Sequence, residues 1–182
     1  ASKATPRGAV AKFAAGGKPS GKKDLGMMAM SYGNVFVGQI SLGANPLHAI
    51  KTIRAAEAYR GTSLIIAYAH CIGHGINMTA GMSLQKEAVA CGYWPLYHYD
   101  PNAETKPFSL DSKPPKGEFK DFAMQQARFA MLARAKPEDS ERLLRLGQED
   151  INRRWNLYEQ LAATTRGGGN GEEKQEEKEV QA

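Results

Sequence analysis

The sequence predicts an α/β fold built on a parallel strand pair and completed by C-terminal helices. Two observations carry this. Val35-Phe36-Val37-Gly38-Gln39-Ile40-Ser41 and Ser63-Leu64-Ile65-Ile66-Ala67-Tyr68-Ala69 are short apolar runs rich in β-branched residues, the pattern of buried strands. Between them, residues 46–60 put Leu47, Ile50, Ile53 and Ala56 on one side of a helix that closes at Arg60-Gly61. Strand, helix, strand at this spacing is a βαβ unit, whose strands run parallel.

The other elements follow in order. Thr5-Pro6 predicts a capped helix through Val10, Ala11, Phe13 and Ala14, stopped by Gly16-Gly17. Residues 18–23 are turn-forming. Asp24 caps an apolar stretch over Leu25, Met27, Met28 and Met30 that Gly33-Asn34 ends. A helix is expected over 79–91. A third strand is expected over Tyr93–Tyr99, at a sheet edge because of its internal Pro95. An irregular stretch runs from Asp100-Pro101 to Gly117. Residues 118–134 read as one helix. Pro137-Glu138-Asp139 opens the last helix, with Leu144, Ile151, Trp155 and Tyr158 recurring down to Ala163. From Arg166 the Gly, Glu, Lys and Gln composition predicts a disordered tail.

Composition excludes several classes. The 182 residues carry 24 Lys+Arg against 19 Asp+Glu, and the ends hold most of the imbalance. Residues 1–23 contain six bases and no acid, while residues 171–182 contain five Glu and two Lys. A nearly neutral body with charged ends is not a nucleic-acid stripe. There is no run of 18 apolar residues for a membrane span. Two cysteines, Cys71 and Cys91, are too few for a secreted disulfide framework. The chain begins at Ala1 with its first methionine at Met27, which reads as a processed chain or a piece of something longer.

Cys71 is the residue to weigh. It lies just past the second apolar strand, in Ala69-His70-Cys71-Ile72-Gly73-His74-Gly75. Loops at the carboxyl ends of parallel strands are where open α/β sheets hold ligands. On position alone it reads as a packed structural thiol. The sharper alternatives are a thiolate ligand and a nucleophile paired with a histidine such as His98. A metal site from His70, Cys71 and His74 carries little weight, because adjacent side chains on an extended chain point apart. Cys91 reads as a small packed hydrophobe. Two thiolates cannot complete an iron–sulfur cluster, which usually needs four.

Longer motifs then add to this reading. Ser2-Lys3-Ala4-Thr5-Pro6, residues 9–18 (Ala-Val-Ala-Lys-Phe-Ala-Ala-Gly-Gly-Lys) and residues 22–30 (Lys-Lys-Asp-Leu-Gly-Met-Met-Ala-Met) lead the set. Tyr32-Gly33, Ser63–Tyr68, Cys71-Ile72, Gly92–Tyr97, Tyr99-Asp100-Pro101 and Leu110-Asp111-Ser112-Lys113 follow in order. Over residues 1–163 the chain resembles the C-terminal part of pyruvate:ferredoxin (or flavodoxin) oxidoreductases.

The resemblance implies oxidative decarboxylation of pyruvate with coenzyme A, yielding acetyl-CoA, carbon dioxide and reduced ferredoxin or flavodoxin. Thiamine diphosphate with Mg2+ serves the carbon chemistry, and [4Fe-4S] clusters carry electrons away singly. It implies that residues 1–117 are the second half of a thiamine diphosphate-binding α/β domain, 118–163 a helical extension and 164–182 a disordered tail. The family's Gly-Asp-Gly motif and diphosphate-binding Asn fall before Ala1, so no catalytic residue is expected here and the piece alone is expected to be inactive. One residue carries over: Cys71 in the Cys-Ile motif, as the last ligand of the cluster nearest the thiamine cofactor. The other three ligands are expected from elsewhere in the longer chain, with Cys91 left structural. Lys3 and Thr5 are expected to shape the cofactor loop without being ligands, and His74 is given no role.

The partners implied are the rest of the same chain, the electron carrier, the substrates and a second copy in a homodimer, with neither nucleic acid nor membrane. The compartment implied is the cytoplasm, or hydrogenosomes as the alternative. A non-catalytic interaction module and a sister enzyme for another 2-oxo acid are the rival readings.

Overall fold

A computed structural model describes residues 1–166 and puts Val35–Ile40 (β1) inside a four-stranded sheet. Around it lie Leu25–Met30 (α1), Pro46–Ala58 (α2), Thr62–Ala67 (β2), Gly81–Ala90 (α3), Tyr97–Tyr99 (β3) and Phe108–Leu110 (β4). Phe119–Met124 (α4), Ala127–Ala135 (α5) and Pro137–Ala163 (α6) complete it. The strand order is β2-β1-β3-β4. β1 and β2 pair in parallel, from Val35 opposite Thr62 to Ile40 opposite Ala67. β3 pairs antiparallel with both β1 and β4, so the α/β sheet is mixed.

Local chemistry accounts for several boundaries. The Asp24 carboxylate accepts the Met27 amide at 3.0 Å and starts α1. The Asn45 side chain accepts the His48 amide at 3.0 Å, and Pro46 occupies the first turn of α2. α2 lies close over β1 because residue 38 is glycine: a Cβ there would stand 2.4 Å from Thr52 Cγ2. α6 opens on Pro137, Glu138 and Asp139, and buries Leu143, Leu144, Ile151, Trp155 and Tyr158 along one stripe.

Aromatic rings dominate the interior. Tyr93 stacks on Phe119 at 5.5 Å between ring centroids and meets Phe122 at 5.1 Å. This cluster joins α3, α4, α5 and α6 into one core. A second cluster gathers Tyr97, Phe108 and Tyr158 beneath β3 and β4.

Four expectations are corrected. Residues 5–14 form turns rather than a helix, because their backbone groups find tertiary partners. Val10 N–H donates to Arg128 O at 2.7 Å, and Lys18 N–H donates to Ala9 O at 3.0 Å. Phe13 sits in the left-handed region at φ 64° and is 92% exposed. β2, more apolar than β1 in sequence, is the half-buried outer strand, and β1 is the buried one. β3 is interior rather than an edge: it begins two residues past Pro95, and β4, which sequence assigned to irregular chain, covers its far side. The helix expected over 118–134 breaks at Gln126, whose extended backbone frees the Ala127 amide to donate to Gly75 O at 2.9 Å. At the last described residue, the Arg166 amide donates to Thr105 O at 2.8 Å and its guanidinium to Pro101 O at 2.7 Å. The tail expected beyond it lies outside the described residues.

Candidate functional site

The loop that follows β2 is fixed at both ends and open in the middle. The Tyr68 amide donates to Ile40 O at 3.0 Å, carrying the strand pairing one residue further. The Tyr68 ring meets Trp94 edge-on at 5.2 Å. His70 Nδ1 lies 2.8 Å from Gln85 Nε2, and its ring packs on Gly81, where a Cβ would stand 2.4 Å from it. Gln85 Oε1 also accepts the Ser41 hydroxyl and the Gly43 amide, each at 2.9 Å. One buried glutamine of α3 therefore ties together the carboxyl ends of both parallel strands.

Cys71 follows directly. Its backbone is extended, its side chain is exposed, and Sγ accepts the Gly73 amide at 3.3 Å. A 3₁₀ turn over Ile72–His74 ends at Gly75, whose φ of 65° suits glycine and whose carbonyl anchors α5. His74 is pushed down to about 4 by burial, with the charge of Arg128 and the nearby His70 adding to it, so it is neutral at pH 7.

The residues weighed in sequence do not assemble into a metal centre. Among the described residues no group of three His, Cys, Asp or Glu side chains is placed to hold a metal ion. His98 is committed elsewhere, with Nδ1 2.8 Å from Asp111 Oδ2. Cys91 is buried at the end of α3, with Sγ 3.6 Å from Ala88 O, and burial pushes its thiol up to about 11.

Two constellations escaped sequence reasoning. Lys18 is 5% exposed, and its ammonium donates to the carbonyls of Thr5 at 2.6 Å, Gly21 at 3.0 Å and Lys3 at 3.2 Å. Lys3 and Thr5 thus enter through their carbonyl oxygens. The other is Asp111, whose Oδ2 lies 2.9 Å from His48 Nε2 as well as against His98. Nothing in the spacing of these residues announces either.

Comparison with known proteins gives a direct result. The chain is 56% identical over 171 residues to a putative pyruvate-flavodoxin oxidoreductase of Synechocystis, a match that covers 92% of this chain. Over this stretch the chain belongs to the pyruvate:ferredoxin/flavodoxin oxidoreductase family. It is also 52% identical to the pyruvate-flavodoxin oxidoreductase of Trichormus variabilis and 49% identical to the pyruvate:ferredoxin oxidoreductase of Moorella thermoacetica, over 89% and 88% of the chain. The chain spans 14% of the length of each of these oxidoreductases. No protein-family model matches it.

No helix among the described residues is long and apolar enough to cross a membrane.

Proposed function

We propose that this chain forms part of an oxidoreductase that decarboxylates pyruvate in the presence of coenzyme A and passes electrons singly to ferredoxin or flavodoxin. The observation that carries this is the 56% identity maintained across 92% of the chain. Residues 1–117 are assigned to the second half of a thiamine diphosphate domain and 118–163 to its helical extension. Thiamine diphosphate and Mg2+ are held by residues other than those described, and no catalytic residue is assigned here. The 182-residue piece alone is expected to be inactive toward pyruvate, and the assembled enzyme to be a cytoplasmic homodimer.

Cys71 is assigned as one thiolate ligand of a [4Fe-4S] cluster. The donor fits that role. Its sulfur is exposed at a strand terminus, receives a backbone N–H as cluster sulfurs do, and has Gly73 and Gly75 beside it, so backbone can approach closely. The buried, protonated Cys91 does not fit, so three thiolates come from elsewhere in the longer protein. Such a cluster supplies one-electron transfer at a potential tuned by hydrogen bonds to sulfur. What this chain contributes is position: Gln85 holds His70, and Gly75 holds α5, so the residue between them is fixed in space.

The test is Cys71→Ala in the full-length protein, with iron content and pyruvate-dependent viologen reduction measured together. Loss of about one cluster's iron and of dye reduction is expected; unchanged values for both would remove the ligand assignment.

A further inference from the structure

A groove of about 550 Å³ runs between the N-terminal segment and α6, with Tyr93, Phe119 and Leu157 among its lining residues. That volume falls within the range of small-molecule sites. Its charges are unevenly matched. Arg7 Nε lies 2.6 Å from Asp150 Oδ2, and Arg153 reaches the same carboxylate at 4.0 Å. Asp24 accepts the Met27 amide and the Tyr158 hydroxyl. Lys22 and Arg154 also line the groove, and among the described residues neither forms an ion pair with a carboxylate.

Both are constrained. The Lys22 ammonium stands 5.4 Å from the centre of the Trp94 ring. Arg154 Nη2 donates to Tyr93 O at 2.6 Å and Gly92 O at 3.2 Å, while its Nε is buried without a partner. Both side chains are partly buried, and two like charges lining one groove favour an anion between them. Burial and the charge of Arg154 lower the Lys22 pKa, with Lys18 and Arg128 adding to this and only Asp24 opposing it.

We propose that Lys22 and Arg154 bind the phosphate of a small phosphorylated molecule whose ring-bearing body lies along Tyr93, Phe119 and Leu157. A dianion matches two cations, and the pairing of a point-charge ammonium with a planar guanidinium suits phosphate oxygens. This site is independent of the cluster assignment for Cys71.

The test uses pyridoxal 5′-phosphate, an anionic aldehyde, on the full-length protein. The neutral lysine amine adds to the aldehyde carbon, water leaves, and borohydride delivers hydride to the imine carbon, fixing the label for peptide mapping. With Arg154 holding the probe's phosphate and Lys22 reacting as the free amine, Lys22 is expected to label about tenfold faster than Lys23 or Lys12, a ratio equivalent to about 1.4 kcal/mol of binding. Adenosine 5′-monophosphate is expected to protect Lys22 at lower concentration than inorganic phosphate. Arg154→Gln should slow Lys22 labelling about tenfold, as the loss of a charge-assisted contact predicts, and Arg154→Lys should restore much of it. Unchanged labelling of Lys23 and an unchanged circular dichroism spectrum verify that the Arg154→Gln protein is folded. Labelling of Lys22 no faster than Lys23, indifference to Arg154→Gln, or protection by inorganic phosphate as good as by the nucleotide would each overturn the proposal.

Discussion

Residues 1–24 and residues 68–80 both run without a long helix or strand, yet they are held in opposite ways. The first segment is pinned along its length by the Lys18 ammonium on three carbonyls, by Arg7 on Asp150 and by Val10 on Arg128. The second is pinned only at its flanks, by His70 on Gln85 and Gly75 on Ala127, and leaves Cys71 and Ile72 exposed between them. Irregular chain becomes rigid when distant polar groups capture its backbone. Chain that presents a reactive group is fixed beside that group and left open at it.

The sharpest way to break this contrast is Lys18→Met. Three carbonyls would lose a charged donor, at a cost of about 3 kcal/mol. Urea unfolding measures this, and a loss below about 1 kcal/mol would show that the segment is held by something else. Gln85→Leu comes next, expected to cost about 2 kcal/mol because Ser41, Gly43 and His70 all lose a partner in or near the core. Hydrogen exchange should accelerate at residues 70–76 and stay unchanged at residues 1–24. Equal acceleration in both segments would dissolve the distinction between them.

A third test uses pH on a contact outside both segments. The hydrogen bond to Asp111 raises the His98 pKa against the opposing effect of burial. Burial would raise the Asp111 pKa, but hydrogen bonds from His48 and His98 outweigh it and leave the carboxyl lowered. The His98 contribution is complete below the ordinary 6.5 and is lost as pH rises through its raised value. The Asp111 contribution is complete above the ordinary 3.8 and is lost as pH falls through its depressed value. The stability difference between the parent and Asp111→Asn should therefore peak between those two values; a difference flat across them would remove the pair from the balance. The smallest effect is expected from Cys71→Ser in the chain by itself, within about 0.5 kcal/mol in urea, because an exposed side chain holds little in place.

Local signals in the sequence were reliable where one residue acts on its own neighbours. Asp24 caps one helix and Pro137 opens another, through contacts spanning three residues or fewer. They failed where partners lie far along the chain. The apolar run at 62–67 resembles a central strand, yet β1 alone pairs with it among the described residues. The helix expected at 5–14 lost its backbone to Arg128 and Lys18. Pro95 marked a strand that begins beyond it, and the three residues of β4 are too few to show a period. Position alone left Cys71 an ordinary packed thiol, whereas the structure exposes it. Its assignment as a ligand grew from the Cys-Ile motif, and the environment then accommodates it.

The 27-residue α6 imposes an order on biosynthesis. Arg7 waits for Asp150, and Asp24 for Tyr158, contacts separated by 143 and 134 positions. At ribosomal speeds Arg7 and Asp24 remain without these partners for roughly ten seconds. During that interval the basic segment 1–23 lacks these two contacts. The Arg7 and Asp24 contacts thus form only after α6 has been made.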